Sequence, residues 1–318
     1  MSTPEPSHPH STASDLPAAD SDNWSDWVLN LRHGRDPALL EALRPALDRI
    51  ADRVLDGAKL EPTMTLADIG TGDGLVAFRA IDRLGPKLHV LLTDISAALL
   101  RYTEALAGQR GIQGQCALFH CAADDLRKID DASADAVTTR AVLVYVANKE
   151  AAFREIFRVL KPGGRLSIAE PIFRDDALAA AALRDDLGRR PLDSGERLLP
   201  LLHRLYASFY PDTQEKISVS PIFNFSERDM MRLVQEAGFG DVCLEFRIEA
   251  TAGLVISWAT FLQTSPYPLA PTFGTVLSEC FTKEEREFFE PALRSMFKTS
   301  QFGVTSRIAY ITAMKPKS

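Results

Sequence analysis

The sequence predicts a doubly wound α/β fold, with helices ahead of the core and helical insertions after it. Three observations lead there. Short apolar runs alternate with helical patterns from residue 64 to 171, which specifies a parallel sheet covered on both faces. Gly70, Gly72 and Gly74 separate the first apolar run from the helix behind it. Three neighbouring strand ends carry acids, at Asp68, Asp94 and Asp124, and in such folds ligands bind at the carboxyl ends of the strands.

Taken in order, residues 1–20 lack periodicity and are rich in Ser, Pro and His, so they are expected to be disordered. Asn23 to Leu31 reads as a helix carrying Trp24 and Trp27. Asp36 before Pro37 is a cap followed by a first-turn proline. Leu39, Leu40, Leu43, Leu47, Ile50 and Val54 then keep helical spacing, with Pro45 expected to kink or split the helix. The core strands are expected at 64–69, 88–94, 115–121, 135–140 and 164–169, with helices at 73–84, 96–109 and 148–160. Lys161 to Gly164 reads as a tight turn.

Residue 172 onwards breaks the rhythm. Helices are expected over Arg174 to Leu187 and Ser194 to Phe209, then from Ser226 to Ala237. A strand follows at Val242 to Ile248, then a helix from Thr282 to Phe297 and a last strand from Val304 to Met314. The chain so divides into a tail (1–20), an N-terminal helical lid (21–60) and a ligand-binding core (61–172). A helical insertion (173–225) and a C-terminal completion (226–318), itself interrupted near 250–302, make up the rest. Long excursions at the carboxyl end of a strand usually build substrate lids.

The glycine loop admits two ligand types. A dinucleotide fingerprint needs glycine at position 75, where this chain has Leu75, and acidic Asp73 sits where a pyrophosphate would lie. Asp68 and Asp73 instead suit a positively charged amino group, such as that of S-adenosyl-L-methionine. Asp94, twenty residues beyond Gly74, suits a ribose. Ile95 suits an adenine face, and Ala123 and Asp124 suit the adenine edge.

These stretches resemble the class I S-adenosylmethionine-dependent methyltransferases, particularly the small-molecule branch related to ubiquinone biosynthesis. The resemblance rests on LADIGTGDG at 66–74, LLTDIS at 91–96, AADDL at 122–126, DAVTTRAVLVYV at 135–146 and RVLKPGGRLSIAEP at 158–171. It implies a Rossmann-like methyltransferase fold with S-adenosyl-L-methionine held by Asp68, Gly70, Thr71, Gly72, Asp94, Ile95, Ala123, Asp124, Arg140 and Trp27. Ala122 departs from the acid that many members carry, which passes the adenine amino contact to Asp124. In the resemblance the N-terminal helices lie over the cofactor, making Trp24, Trp27 and Arg32 lid residues.

Around the acceptor, Arg140 is expected to hold a substrate carboxylate or to brace its loop. Glu170 and His203 are candidate bases for an oxygen acceptor, and Tyr145 lines the pocket or packs beneath it. His203, Tyr206 and Tyr210 share a helical face, which makes them the expected acceptor wall, with Trp258 closing it from the second insertion. The whole-chain pattern also resembles, loosely, bacterial methionine S-methyltransferases, which make S-methylmethionine on a route to dimethylsulfoniopropionate. That resemblance implies Arg140 or Arg32 for the methionine carboxylate and Glu170 for its ammonium, with Tyr206, Tyr210 and Trp258 about the thioether. O- or N-methylation of a secondary metabolite or quinone precursor is the alternative.

Composition narrows the class further. A net charge of −7 without a basic block argues against a nucleic-acid partner. The cysteines Cys116, Cys121, Cys243 and Cys280 show no paired spacing and read as reduced residues of a cytoplasmic protein. No apolar run is long enough to span a bilayer, no metal-ligand cluster stands out, and His8 and His10 read as tail residues. A small-molecule substrate is the expected partner, and a homodimer stays open.

Overall fold

The computed structural model describes residues 21–189, 197–251, 256–298 and 304–317. What the sequence predicts for residues 1–20 lies outside them. The architecture is one seven-stranded sheet in the order β3-β2-β1-β4-β5-β7-β6. Its strands are β1 (Thr65–Ile69), β2 (His89–Asp94), β3 (Cys116–His120), β4 (Ala134–Arg140), β5 (Leu160–Pro171), β6 (Gly240–Thr251) and β7 (Val304–Met314). β1 to β5 run parallel, while β7 is antiparallel to both β5 and β6. The chain order reverses direction between β1 and β4, and a crevice opens at that switch point.

Strand alternation decides which face each side chain covers. Leu66, Val90 and Leu92 join α2 (Pro37–Ala58), α3 (Leu75–Leu84) and α4 (Ala97–Gln109) in one buried cluster. Ala67, Ile69 and Leu91 join α5 (Lys149–Val159) and α9 (Glu227–Glu236) in the cluster on the other face. α2 runs unbroken through Pro45, so the expected split does not occur. The expected turn at Lys161 to Gly164 lies instead inside β5, with Leu160 already paired to Ala134 and Gly163 at φ +82°.

The insertions hold more helix than the sequence pattern shows. α6 (Arg174–Arg189) and α7 (Leu198–Ala207) follow the expected pair, the second shorter than predicted. The expected start of that helix at Ser194 falls outside the described residues. α8 (Gln214–Val219), α10 (Trp258–Gln263) and α11 (Phe273–Cys280) are short helices that no periodicity announced, and α12 (Lys283–Lys298) matches expectation. Leu201, Leu205, Phe209, Tyr267, Leu277 and Phe289 form a third buried cluster, separate from the two sheet faces. The helix α1 (Asn23–Leu29), capped by Asp22, belongs to the roof of the crevice.

Candidate active site

A cavity of about 290 Å³ opens at the carboxyl ends of β1, β2, β3 and β4. Asp68, Gly70, Thr71, Gly72, Asp94, Ile95, Ala123, Asp124, Arg140, Trp27, Arg32 and Tyr145 all line it. The sheet brings these residues together because their strands are neighbours in register: Asp68 lies beside Leu92 of β2 and Thr138 of β4.

Each part of the glycine loop is tied down. The Thr71 amide donates to the Thr93 carbonyl at 2.7 Å, and the Thr103 hydroxyl donates to the Gly72 carbonyl at 2.8 Å. Gly70 and Gly72 both take left-handed backbone, at φ +66° and +58°. They differ in what surrounds them. A β-carbon at Gly70 would strike Val142, whereas one at Gly72 would meet nothing within 4 Å. Gly70 is needed for close packing, and Gly72 faces open cavity.

The two central acids are enclosed. Asp68 accepts from the Thr71 hydroxyl at 2.9 Å and the Thr138 hydroxyl at 2.7 Å. Asp94 accepts from the Gly72 amide at 2.9 Å and the Ser96 amide at 2.8 Å. Burial pushes both carboxyls up to about 6, against hydrogen bonds that pull them down. Each carboxylate keeps lone pairs for further donors.

Over the loop, Arg32 reaches Asp73 at 3.2 Å and lies 5.7 Å from the Trp27 ring centre. Trp27 donates through its indole nitrogen to the Ser265 carbonyl at 3.0 Å, and Trp24 meets Tyr145 edge-on at 5.2 Å. The N-terminal helix is thus fastened on one side to the second insertion and on the other to the loop after β4. Val28, Val142, Val146, Ala147 and Pro268 complete the apolar wall.

Glu170 takes a different place from the one its sequence position suggests. It is fully buried, and its carboxylate accepts from the Thr139 hydroxyl at 2.8 Å and the Val142 and Val144 amides at 3.0 and 3.1 Å. It is absent from the cavity wall and holds in place the loop that begins at Ala141, itself in left-handed backbone at φ +57°. A base or an ammonium partner must face the substrate, whereas the structure places Glu170 beneath the loop and away from the cavity wall. From the other side Lys149 donates to the carbonyls of Val144, Val146 and Pro221 at 3.2, 2.8 and 2.6 Å.

The expected acceptor wall of His203, Tyr206, Tyr210 and Trp258 is likewise displaced, since none of the four lines the cavity. His203 lies 3.1 Å from Asp212, which also receives Lys216 at 2.7 Å. Tyr210 packs among Phe209, Phe223 and Tyr267 in the insertion cluster, with Tyr206 beside it at 6.2 Å. Trp258 stacks near Phe261 and under the Arg294 guanidinium. Helical spacing put the histidine and tyrosines on one face, but that face covers the insertion's own core. Pro268 is the residue of the second insertion that lines the cavity, and no spacing in the sequence signals it.

The chain matches the methyltransferase-domain family over residues 60–207. It is 30% identical over 191 residues to the ubiquinone/menaquinone biosynthesis C-methyltransferase UbiE of Vibrio vulnificus, covering 58% of this chain and 67% of that protein. The chain belongs to the class I S-adenosylmethionine-dependent methyltransferases. As a methyltransferase it is also similar to the O-methyltransferase resE of Aspergillus sclerotiorum, at 27% identity over 66% of this chain and 80% of that one. Its fold resembles that of the YcgJ protein of Bacillus subtilis, with a TM-score of 0.52, 14% identity, and coverage of 85% of this chain and 99% of that chain.

The residues present suit the methyltransferase cofactor. Gly72 leaves its β-carbon position open to the cavity, Asp94 keeps lone pairs beside it, and Ile95 is 56% exposed at the rim. Asp68 and Asp73 line the same cavity and supply the negative charge that a cationic amino group requires. Among the described residues no helix is long and apolar enough to cross a membrane.

Proposed function

We propose that this enzyme binds S-adenosyl-L-methionine in the cavity and transfers its methyl group to a small molecule. Within that class, the acceptor we favour is the thioether of methionine, which would yield S-methylmethionine. The observation that carries this reading is the make-up of the acceptor wall. Trp24, Trp27 and Tyr145 supply aromatic faces, and neither a histidine nor a lysine lines the cavity among the described residues. Burial drives the Tyr145 phenol far above its ordinary range, and burial pushes the Cys121 thiol up to about 12, so neither serves as a base near neutrality.

The bound cofactor would supply a methyl group already activated on a sulfonium. A thioether acceptor would need no base, because its sulfur lone pair is already free to take that methyl group. No proton moves. The residues' work is then alignment, exclusion of water, and cation stabilisation by aromatic faces. Asp94 would hold the ribose through the lone pairs that the Gly72 and Ser96 amides leave free, and Ile95 the adenine face.

O- or N-methylation of a secondary metabolite or quinone precursor is the second reading, and a relative named an O-methyltransferase favours its oxygen form. Incubating the purified enzyme with methyl-labelled cofactor, methionine and a panel of phenols and amines separates the two. Labelled S-methylmethionine is expected. Transfer to a phenol or amine with none to methionine would replace the first reading by the second.

A further inference from the structure

Two arginines line the cavity, and their surroundings differ. Arg32 is paired with Asp73 at 3.2 Å, and both are partly open to solvent. Arg140 closes β4, in register with Ala169 of β5. Both leave their Nε enclosed without a hydrogen-bond partner, but Arg140 alone of the two forms no ion pair among the described residues. The acids nearest in the sheet are already engaged. Glu170 is held by the Val142 and Val144 amides and the Thr139 hydroxyl, and Asp68 by two threonine hydroxyls. An enclosed guanidinium has five donors in a planar fork and is costly to leave unanswered. A carboxylate answers it best, through two parallel hydrogen bonds.

We propose that Arg140 is the receptor for a carboxylate carried by the methyl acceptor, an inference that rests on the methyltransferase reading above. Two carboxylates could in principle meet it, the acceptor's and that of the cofactor's amino-acid tail. The tail is a zwitterion, and the adjacent opposite charges of Arg32 and Asp73 at the glycine loop match it. Arg140 instead lies at the root of the loop that carries Val142, Tyr145 and Val146 to the acceptor wall. That wall is otherwise apolar. The acceptor class it fits is a molecule with an apolar or thioether body and one carboxylate end.

The test uses the full chain loaded with S-adenosylhomocysteine, the demethylated cofactor. Tryptophan emission is followed while acids and their primary amides are added: methionine and methioninamide, methylthiopropanoate and its amide, benzoate and benzamide. The wild type is expected to prefer the acid in at least one pair. Arg140→Met should weaken that acid about 30-fold or more, the scale set by truncating one side of an enclosed charge pair. This assignment gives Arg140 to the acceptor in place of the cofactor contact that the resemblance implied, so the variant's affinity for S-adenosylhomocysteine should stay within about twofold; Arg140→Lys, which keeps the charge without the fork, should fall between in acid affinity. The inference is overturned if no acid is preferred to its amide, or if both variants keep the preference. It is also overturned if they lose S-adenosylhomocysteine itself, which would give Arg140 to the cofactor's tail. A wild-type chain that binds no S-adenosylhomocysteine would instead remove the methyltransferase reading, and this assignment with it.

Discussion

The Gly72 amide donates to the Asp94 carboxylate at 2.9 Å, so the glycine loop and the tip of β2 form one unit before any ligand arrives. Asp94 therefore shapes the loop as well as offering lone pairs to a ribose. Asp94→Asn keeps an acceptor oxygen but removes the charge. It is expected to weaken S-adenosylhomocysteine about 30-fold or more, a loss of about 2 kcal/mol, and to cost about 1–3 kcal/mol of stability, because the Gly72 and Ser96 amides use different carboxylate oxygens and one would face the new NH2. Asp94→Ala should lower the melting temperature further, because both the Gly72 and Ser96 amides lose their partner. Calorimetric titration of both variants checks this, and unchanged affinity in either would show that the ribose lies elsewhere.

Gly70 and Gly72 should respond differently to the same change. Gly70→Ala forces a β-carbon against Val142 in a left-handed backbone and should cost about 2–4 kcal/mol of stability. Gly72→Ala has room, and is expected to cost only about 1 kcal/mol of backbone strain. Its methyl group points into the cavity, so affinity for the cofactor should fall far more than stability does. Urea melts alongside binding curves would separate the two effects; equal stability losses in the two variants would contradict the contrast.

Asp68 and Asp94 make stability and ligand affinity run in opposite directions with pH. Burial raises both carboxyls from 3.8 to about 6, so between those values the folded chain holds protons that the unfolded chain has released. Their cost to the fold is absent below that window, grows as pH rises through it, and is complete above about 6. Cofactor binding needs the ionised forms and should weaken as pH falls below 6, by about tenfold per required carboxylate at one unit lower. Binding of S-adenosylhomocysteine measured from pH 5 to 8 is the check. In Asp94→Asn the slope should be shallower, and a flat wild-type profile would mean that neither acid meets the ligand.

Glu170 is expected to behave as a holding group for the loop after β4. Glu170→Gln leaves one acceptor oxygen for amides that now use two and should cost about 1–3 kcal/mol of stability. Glu170→Ala, which leaves the Val142 and Val144 amides unanswered, should cost more. If Glu170 were a base, the glutamine variant would lose turnover with its melting temperature intact. Thermal melts beside turnover numbers distinguish these outcomes.

That Asp68, Gly72 and Asp94 would meet in one cavity was legible in the sequence because the pattern that brings them together is local. Asp68, Gly72 and Asp94 stand at the ends of short apolar runs, and neighbouring strands bring those ends together without help from distant contacts. The acceptor side is assembled otherwise. Trp24 meets Tyr145 through a contact between the N-terminal helix and the β4 loop, and Pro268 arrives from an insertion with no periodic pattern. His203, Tyr206 and Tyr210 do share a helical face, but periodicity cannot say which partner that face will cover. Glu170 misled for a similar reason: the amides that satisfy it belong to an irregular loop, invisible to strand and helix spacing.

Lys149 supplies the last prediction, because it clamps the same loop with a charge that the fold disfavours. Burial lowers its ammonium from 10.5 to about 8, while three carbonyls accept its protons and the Phe225 ring lies 4.8 Å away. Lys149→Met would strand those carbonyls and should cost about 2–4 kcal/mol. The sign of the pH effect follows from the lowered value. Below 8 the lysine is charged in both folded and unfolded chains, so the burial cost is present in full. Between about 8 and 10.5 the folded chain gives up the proton first, and the cost is relieved. The stability difference between wild type and Lys149→Met should therefore widen in favour of the wild type from pH 8 to 10. The neutral amine has only two donors for three carbonyls, which limits that gain to less than the full relief. Paired melts across this range decide it, and a gap that narrows or stays constant would mean that Lys149 keeps its proton in the fold.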